Sequence, residues 1–560
     1  MNPLKPKNRE TGNNRAVMSL FLIEKMKQYY QKLLMQLLLL AFVQNVIAYN
    51  CEVNGIYYDL RDADKTATVT YQRYGASSYS GNVVVPSDIE YKDVVYSVVA
   101  IGYNAFYNCK DLNSVSLPAT ITTIGSSAFS GCSSMAEIDI PNSVTTLGSN
   151  AFEGTAWLDR QPDGVVYAGK AVYKYKGDMP ENTAIALREG TLTIAGEAFM
   201  GQQNLSSIDF PSSLISIGRW AFKDCTGISS VFIPKGVRSI GESYDMNVFR
   251  GCSGIERIVV EEGNDLYDSR NGCNGIISVK DSVFGVGCKN SFIPEDIAEI
   301  GRCAFENCIG LTNIKLPDGV RRIGVFAFRG CSDLEETDIP GSVTDIDDGG
   351  FEGCSSLKNL HIPAKLTYIG GGAFEGCSAG LRSITVDENN PQYDSRGGCN
   401  ALIETNRNFL MLGCRNTVIP ETVTDIGGDG FENCTELKSI VIPTSVKWMS
   451  FRAFAECNNL STVVSMITEP FVIDDRTFSE QTYQSVLYVP EGTKAKYEAT
   501  KGWMNFKTIE EGLPSEIGQV KMELYGEIRS FSIDGKAVNH YDGLRIFRMS
   551  DGSVRKVMMK

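Results

Sequence analysis

Cysteine is the residue type in this chain whose number and spacing suggest the most chemistry. The chain has 560 residues, with sixteen cysteines but only two histidines, His361 and His540. Four of the cysteines form two pairs with the same spacing of fifteen residues. These pairs are Cys273 with Cys288, and Cys399 with Cys414. Each pair can be joined as a disulfide in an oxidising compartment or remain as two buried thiols, and the sequence leaves both alternatives open.

Carboxylates are the remaining candidates for catalysis or metal binding. They form two groups, Asp345 with Asp347 and Asp348, and Asp265 with Asp268 and Asp281. The first group lacks the further oxygen ligands that a calcium loop needs, and an exposed acidic loop explains it more simply. No motif fixes the spacing of the second group. Because histidine, the usual general base and a common zinc ligand, is nearly absent, we predict no catalytic residues, no metal site and no cofactor.

The net charge of the chain argues against nucleic acid as a partner. The chain has 53 Lys and Arg residues against 67 Asp and Glu residues, a formal net charge of −14. A chain this acidic repels phosphate backbones and anionic lipid. We therefore expect no nucleic acid partner.

Most of the other cysteines belong to a 23-residue repeat. Ten of them stand at one position of a unit that reads Ile/Leu-Pro, then Val-x-x-Ile-Gly, then Ala-Phe-x-x-Cys. The phenylalanines of this unit are Phe106, Phe129, Phe152, Phe199, Phe222, Phe249, Phe305, Phe328, Phe351, Phe374, Phe431, Phe454 and Phe478. One such unit cannot bury its apolar face alone, so the units must stack as a solenoid. We expect the ten cysteines to be buried, free and important for packing.

The repeat from Cys354 to Cys377 shows how one unit should fold. Leu360 and Ile362 alternate with a polar residue, as in a short strand with one buried face. Pro363 ends the strand because its nitrogen cannot donate to a ladder. Gly370 allows a turn, and Phe374 fills the interior. We predict a β-rich α/β solenoid, a leucine-rich-repeat superhelix of short strands with short helical or 3-10 turns.

The repeat resembles a known family. The string L-x-x-I-x-I-P-x-x-V-x-x-I-G-x-x-A-F-x-x-C, clearest from Leu311 to Cys377, is similar to the BspA-like subclass of bacterial leucine-rich-repeat surface proteins. The resemblance covers residues 101–490. It implies export to the cell surface and binding of extracellular macromolecules, usually matrix glycoproteins such as fibronectin or fibrinogen. Gly350 and Gly430 replace the alanine before phenylalanine, and we expect them to loosen the packing locally.

A binding function should use the side chains that point outward from the strands. A rigid solenoid presents such positions as an extended surface, and aromatic residues are favoured at interface cores. The candidate partner-binding residues are Asp139, Asp209, Phe232, Lys315, Asp338, His361 and Tyr488. We predict an adhesin-like recognition protein; a structural or self-associating surface-layer protein without a host ligand is the alternative. The sequence does not determine the oligomeric state.

The N-terminus has the pattern of a secretory signal peptide. Basic residues precede the apolar run Leu33 to Val43, which is too short for a membrane span, and a small residue follows at Ala48. We predict a signal peptide over residues 1–48, a natural start at Met26, and cleavage between Ala48 and Tyr49.

The rest of the chain divides by composition and by spacing. A Tyr-, Val- and Thr-rich stretch should cap the apolar end of the solenoid, and two inserts related by a shift of 126 residues indicate an internal duplication. The predicted segments are a β-rich N-terminal cap at residues 49–100, the solenoid at 101–490 with inserts near 155–183, 255–297 and 381–423, a helical C-terminal cap and linker at 491–512, and a small β tail at 513–560.

The tail has features of its own. A turn at Asp534, Gly535 and Lys536 precedes a strand that starts at Gly543, and the chain ends in lysine at Lys560. These residues resemble the C-terminal sorting domains of proteins that the type IX pathway exports across the outer membrane. An Asp-Gly turn followed by alternating apolar residues is also the pattern of a plain terminal hairpin module. The resemblance implies an outer-membrane-associated surface protein.

Overall fold

The structure is a computed structural model of the whole chain. It describes residues 49–73, 78–241, 246–428 and 430–512, together with the backbone of six short strands between residues 523 and 559. The predicted cleavage residue Ala48 and the tail residues Asp534, Gly535, Lys536 and Lys560 lie outside the described residues. The chain divides into two compact units. The smaller unit is Met1–Gly177 with Leu192–Gly196, and the larger unit is Asp178–Thr191 with Glu197–Lys560.

Most regular structure in both units consists of short strands. In chain order the strands up to residue 260 are β1 Cys51–Val53, β2 Ile56–Arg61, β3 Thr66–Thr70, β4 Gly81–Val84, β5 Asp88–Tyr91, β6 Val94–Ile101, β7 Leu112–Ser116, β8 Thr123–Ile124, β9 Glu137–Asp139, β10 Thr146–Leu147, β11 Gly164–Ala168, β12 Ala171–Lys176, β13 Thr183–Ala186, β14 Thr193–Ile194, β15 Leu205–Asp209, β16 Ser216–Ile217, β17 Ser230–Ile233, β18 Ser239–Ile240 and β19 Arg257–Val260.

The remaining strands lie in the larger unit. They are β20 Tyr267–Asp268, β21 Ile276–Ser278, β22 Val283–Val286, β23 Glu299–Ile300, β24 Arg322–Ile323, β25 Asp345–Ile346, β26 Asn359–Ile362, β27 Tyr368–Ile369, β28 Ser383–Val386, β29 Tyr393–Asp394, β30 Ala401–Glu404, β31 Phe409–Gly413, β32 Asp425–Ile426, β33 Ser439–Ile442, β34 Trp448–Met449, β35 Thr462–Ser465, β36 Val486–Val489, β37 Thr508–Glu511, β38 Glu523–Leu524, β39 Glu527–Ile528, β40 Ser530–Phe531, β41 Ala537–Val538, β42 Gly543–Arg548 and β43 Val554–Met559.

Helical structure is limited to single turns and short helices. The α-helices in the described residues are α1 Ala156–Asp159, α2 Glu480–Tyr483 and α3 Lys494–Ala499. The 3-10 turns are Asn247–Phe249, Arg270–Gly272, Cys377–Ala379, Arg396–Gly398, Thr405–Arg407 and Trp503–Asn505. Helix α3 and the last 3-10 turn follow Pro490, in the segment where the sequence predicts a helical cap.

Strands at the predicted position before Ile-Pro, or at its equivalent, form parallel ladders in many of the turns, and we call these ladders the first sheet. In the smaller unit β4, β7 and β9 pair in this order. In the larger unit β17 pairs β19, β26 pairs β28, and β33, β35, β36 and β37 form a four-stranded sheet. Inward β-branched residues favour extended backbone, and a proline ends β17, β26, β33 and β36. The predicted solenoid of short parallel strands is confirmed.

The first sheet is interrupted in the middle of the larger unit. The segments around Lys315 and Asp338 are paired only by a single bridge between Asn313 and Glu336. The hydroxyl of Thr337 donates to the carbonyl of Ile314 at 3.2 Å. This side-chain bond takes the place of a backbone bond in the ladder, so Lys315 and Asp338 lie outside regular strands.

A second parallel sheet runs along the Val-x-x-Ile-Gly segments, where the sequence analysis predicted only a turn. Its strands are two residues long and pair in register from turn to turn. One ladder joins Glu299, Arg322, Asp345 and Tyr368. The following glycine nitrogens continue the pairing, as in Gly324 N to Ile300 O at 2.8 Å. Many turns therefore contribute a strand to each of two sheets.

The glycine that ends the second-sheet strand is needed for close approach of neighbouring turns. A Cβ at Gly370 would lie 2.4 Å from the backbone nitrogen of Asp348. Gly350 and Gly430 also have little free space, because a Cβ there would lie 2.7 Å from Ile346 Cγ2 and 3.0 Å from Ile426 Cγ2 respectively. The predicted local loosening at Gly350 and Gly430 is wrong.

Stacked phenylalanine rings fill the interior. Phe328 lies between Phe305 and Phe351, with ring centroids 5.1 Å apart on each side and nearly parallel planes. Phe284, which belongs to an insert, extends the same stack and lies 5.4 Å from Phe305. All four are buried. The predicted interior role of the repeat phenylalanines is confirmed.

All sixteen cysteines are buried free thiols. No disulfide joins Cys273 to Cys288 or Cys399 to Cys414 in the structure. Along the repeat, the thiol donates to the carbonyl of the phenylalanine one turn earlier. Examples are Cys132 to Phe106 at 2.9 Å and Cys331 to Phe305 at 3.0 Å. The repeat position therefore requires a residue that is small, apolar and able to donate one bond.

The two duplicated inserts each fold as three antiparallel strands that join the second sheet. They are β20 to β22 and β29 to β31. A buried or half-buried asparagine anchors each one to the repeat before it. Asn390 Nδ2 donates to the carbonyls of Pro363 and Leu366, while its Oδ1 accepts from Tyr393 N. Asn264 makes the equivalent bonds 126 residues earlier, so the two inserts share one anchoring device.

Candidate binding face

The outward side chains of the first sheet, and of the turns where it is interrupted, form a series in each unit. Strand alternation places them there: Val231 and Ile233 are 2% and 0% exposed, whereas Phe232 between them is 52% exposed. In the larger unit, most turns have one outward residue directly before the buried Ile-Pro or its equivalent. We call this set of residues the outward column. Its members are Asp209, Phe232, Val259, Phe292, Lys315, Asp338, His361, Thr385, Val418, Val441, Val464, Tyr488 and Glu510.

Strand register brings several of these residues side by side. Phe232 pairs with Val259, and His361 pairs with Thr385. Val464 and Tyr488 are also partners in register. Because neighbouring parallel strands lie about 4.8 Å apart, a partner would contact several turns at once. The backbone that carries these side chains is fixed by ladder hydrogen bonds.

The predicted partner-binding residues lie at outward positions, but they do not form one group. Asp139 is exposed in the smaller unit, in register with Ser116. Asp209, Phe232, Lys315, Asp338 and His361 are exposed members of the outward column, and Tyr488 is half-buried. Along the column, hydrophobic residues flank the polar run from Lys315 to Thr385 on both sides, whereas Asp209 and Glu510 at the two ends are charged.

The polar middle of the column is joined by local contacts. Lys315 Nζ lies 3.3 Å from Glu295 Oε1, and both side chains are well exposed. His361 Nδ1 lies 3.0 Å from Thr385 Oγ1. The pKa of nearby Asp387 is lowered, mainly because Asn389 donates to its carboxylate, with His361 adding a smaller electrostatic contribution. These exposed contacts orient side chains without removing them from solvent.

Sequence reasoning missed members of the column next to the inserts. Phe292 and Val418 are 46% and 49% exposed. Val259 and Thr385 lie in strands β19 and β28, and they follow Phe232 and His361 by 27 and 24 residues instead of 23. Two of them could have been found from the sequence, because Phe292 and Val418 each directly precede Ile-Pro. Val464 occupies an outward position but is buried, so the column is covered at that turn.

The carboxylates considered for chemistry are used in ion pairs and hydrogen bonds. Asp347 is buried and lies 2.8 Å from Arg322 Nη2, and Asp348 accepts from Gly371 N at 2.8 Å. Asp268 pairs with Arg270 at 2.9 Å. In the second insert, burial raises the pKa of Asp394, but hydrogen bonds from Arg396 and Thr405 outweigh it and lower the pKa overall.

Neither a metal cluster nor a membrane-spanning helix is found among the described residues. Across them, no three His, Cys, Asp or Glu side chains converge as a metal site requires. Their helices are also too short and too polar to cross a bilayer. The cysteines of the inserts are not nucleophiles in this state, because burial raises their pKa, to about 11 for Cys273.

Lys176, in the insert predicted near residues 155–183, forms hydrogen bonds within the fold. Lys176 Nζ donates to the carbonyls of Leu158, Asp159 and Gln161, at 3.2, 2.8 and 2.6 Å. These carbonyls lie at the C-terminal end of helix α1. The ammonium group caps that helix, which accounts for the lysine without an external ligand.

Stacked turns, two parallel sheets and an interior of leucine, isoleucine and phenylalanine define a solenoid of the leucine-rich-repeat class. The sequence family described as the BspA type leucine rich repeat region matches residues 88–161, 171–272, 278–396 and 406–525, in six copies. These ranges cover well over half of the chain. The chain belongs to this family.

Several solved structures are similar to the chain. The pneumococcal vaccine antigen PcpA is 20% identical, with 83% of this chain and 98% of that chain covered and a TM-score of 0.38. A leucine rich cell surface protein from Faecalibacterium prausnitzii A2-165 is 21% identical, with coverage of 81% and 97% and a TM-score of 0.35. A leucine-rich repeat protein from Bacteroides ovatus ATCC 8483 is 26% identical, with coverage of 74% and 94% and a TM-score of 0.32. No curated protein matches the chain.

Proposed function

We propose that this protein is an exported cell-surface recognition protein that binds an extracellular protein or glycoprotein through the outward column. The observation that carries the proposal is the exposure of large hydrophobic side chains in the outward column, with Phe232 on strand β17 at 52% and Phe292 at 46%. Exposed aromatic residues beside polar ones are the composition of protein interfaces. Membership of the family supports the same conclusion. The resemblance of the repeat to BspA-like surface proteins suggests fibronectin and fibrinogen as the first partners to test.

The binding experiment compares variants of the column with a matched variant elsewhere. Phe232→Ala and the charge reversals Lys315→Glu and Asp338→Lys are combined, and binding to immobilised fibronectin and fibrinogen is measured. We expect a loss of about tenfold or more, the effect of removing an interface hot spot. Tyr368→Ala is the control, because Tyr368 is 48% exposed on the second sheet. Equal affinity of all variants for every partner that binds the native protein would contradict the proposal.

Export is the second part of the proposal. We propose cleavage between Ala48 and Tyr49 and attachment at the outer membrane through the tail that ends at Lys560. Intact source cells are labelled with a membrane-impermeant reagent, and the termini of the mature protein are identified by mass spectrometry. Labelling together with an N-terminus at Tyr49 is expected. A protein that stays unlabelled and retains both Met26 and Lys560 would rule out export.

One observation favours the alternative of self-association. Strand β4 is an outer strand of its sheet among the described residues, and Val84 on it is 70% exposed. Open strand edges can pair with another chain. Concentration-dependent oligomers in analytical ultracentrifugation, abolished by Val84→Lys and accompanied by no binding to matrix glycoproteins, would favour a structural surface-layer role over adhesion.

A further inference from the structure

A small cavity lies in the larger unit beside the first insert. It has a volume of about 20 Å³. The 3-10 turn Asn247–Phe249, the end of strand β22 and the segment 303–308 surround it. Its lining combines a carboxylate, a guanidinium group and thiols, which is unusual in an interior otherwise filled with hydrophobic side chains. Its polar groups therefore require an explanation.

The carboxylate of Glu306 is buried and only half satisfied. Its side chain is 1% exposed. Oε1 lies 2.7 Å from Arg250 Nη2 and 3.8 Å from Arg329 Nη1. Within the described residues, Oε2 has no hydrogen-bond partner, and neither does the buried Nε of Arg250. Leaving a charged donor and a charged acceptor without hydrogen bonds in the interior destabilises the folded state.

We propose that the cavity binds one ordered water molecule, which accepts from Arg250 Nε and donates to Glu306 Oε2. A cavity holds a water molecule once it offers about 10–15 Å³ and two or more polar partners, and this cavity meets both conditions. The two unsatisfied atoms are one donor and one acceptor, which is the complement of a bridging water. The site supplies the missing bond to each of them.

The thiols of the lining favour water over a metal ion. Cys252 already donates to the carbonyl of Phe222 at 2.9 Å. Cys288 accepts from Asn274 Nδ2 at 3.3 Å and donates to Asn274 O at 3.7 Å. A soft metal would need these sulfurs as thiolates directed into the cavity. Burial raises the pKa of both thiols, so the protonated forms are favoured.

The duplicated repeat provides an internal comparison. Glu432 is the counterpart of Glu306, 126 residues later. Arg452 binds both of its carboxylate oxygens, with Nε to Oε2 at 3.0 Å and Nη2 to Oε1. Position 326, the counterpart of Arg452, is a phenylalanine. Glu306 is therefore paired from the opposite side, by Arg250, in a geometry that leaves Oε2 free for water.

The water links two repeats that the first insert separates in sequence. Arg250 belongs to the repeat before the insert, and Glu306 belongs to the repeat after it. The ion pair and its bridging water hold these repeats together where the insert interrupts the 23-residue spacing. In the second copy the direct pair between Glu432 and Arg452 needs no water.

The test counts long-lived internal waters by oxygen-17 magnetic relaxation dispersion in the full-length protein. The double variant Arg250→Met/Glu306→Met removes both unsatisfied atoms and keeps side-chain length. We expect it to lose one long-lived water relative to the native protein. The control Glu432→Met/Arg452→Met removes the ion pair without an unsatisfied carboxylate oxygen and should lose none. An unchanged count in the first variant would overturn the proposal.

A crystal structure of the unmodified protein tests the same site if the variants do not fold. Density for a water within hydrogen-bond distance of both Arg250 Nε and Glu306 Oε2 supports the proposal. A direct bond between these two atoms, an empty cavity, or anomalous scattering from a metal would refute it. Each outcome depends only on Arg250 Nε and Glu306 Oε2, so the test is independent of which partner the binding face recognises.

Discussion

The repeat cysteines show how one atom determines the choice of residue. A thiol donates to the carbonyl of the phenylalanine one turn earlier, yet it is small and apolar enough to be fully buried. Burial raises the pKa of these thiols, to about 12 for Cys132, Cys225 and Cys331. The protein therefore keeps them protonated at pH values where thiols in an unfolded chain ionise.

This difference in pKa predicts that alkaline pH destabilises the protein. The thiol pKa is higher in the folded state than the value of about 8.5 in the unfolded chain. Above that value the unfolded chain loses protons that the folded chain retains, so the free energy of unfolding falls as pH rises. Urea unfolding with a reductant should show lower stability at pH 9.5 than at pH 7.5. Equal stability at both would contradict the assignment.

A second residue-scale prediction concerns the ring stack. Phe328 lies between two neighbouring rings and is fully buried. Phe328→Ala should reduce the free energy of unfolding by about 3–5 kcal/mol, because it opens a cavity in a stack that cannot collapse. Phe451→Ala is the control, since Phe451 is 51% exposed. The comparison is made by urea denaturation, and equal losses for the two variants would count against the stack.

The interior residues could be predicted from the sequence, whereas the use of their polar atoms could not. A fixed spacing identifies Phe328 and Cys331 as interior positions, since stacked turns repeat the same environment. It does not show that the Cys331 thiol bonds to a carbonyl, because that depends on how adjacent turns are aligned. For the same reason Phe284 was missed, as the insert carries it outside the 23-residue spacing.

At the scale of elements, the glycine that ends each second-sheet strand sets the distance between turns. A Cβ at Gly370 would lie 2.4 Å from Asp348 N and 2.6 Å from Asp347 C, which are backbone atoms that cannot move aside. Gly370→Ala should destabilise the protein by about 1–3 kcal/mol through overpacking. Gly341→Ala is the matched control, because no atom lies within 4 Å of its added Cβ. Thermal denaturation distinguishes them, and similar melting temperatures would refute the argument.

The second sheet could not be recognised from the sequence because its strands contain only two residues. A pair such as Arg322 and Ile323 shows one outward and one inward side chain, which is too short for alternation to be visible. The pairing arises from the stacking of turns, which brings Ile300, Ile323 and Ile346 into register. The first sheet was predictable because its inward residues alternate over a longer segment and a proline marks its end.

At the scale of the whole molecule, the hydrophobic interior is not one uniform core. One cluster extends from Cys51 to Ala195, a second from Cys273 to Cys414, and a third from Cys399 to Ile509. Solenoids are stabilised by contacts between neighbouring repeats, so cooperativity weakens where such contacts change. The inserts lie at these places in the larger unit.

We therefore expect unfolding in more than one step. Scanning calorimetry should give a calorimetric enthalpy larger than the van't Hoff enthalpy, the signature of several cooperative regions. Gly370→Ala should shift only the transition of the cluster that contains Leu366, which packs in the second cluster. A single two-state transition that shifts as a whole would show that the clusters unfold together.

The free thiols also have a consequence for the folding of the newly made chain. The folded chain buries all sixteen cysteines as free thiols, but a newly made chain exposes all of them. In an oxidising compartment each exposed pair is a substrate for wrong disulfides, and none of these links belongs to the final structure. The yield of the native protein then depends on the rate at which turns stack relative to the rate at which thiols are oxidised. Each repeat that stacks buries its own cysteine and so protects that thiol from oxidation.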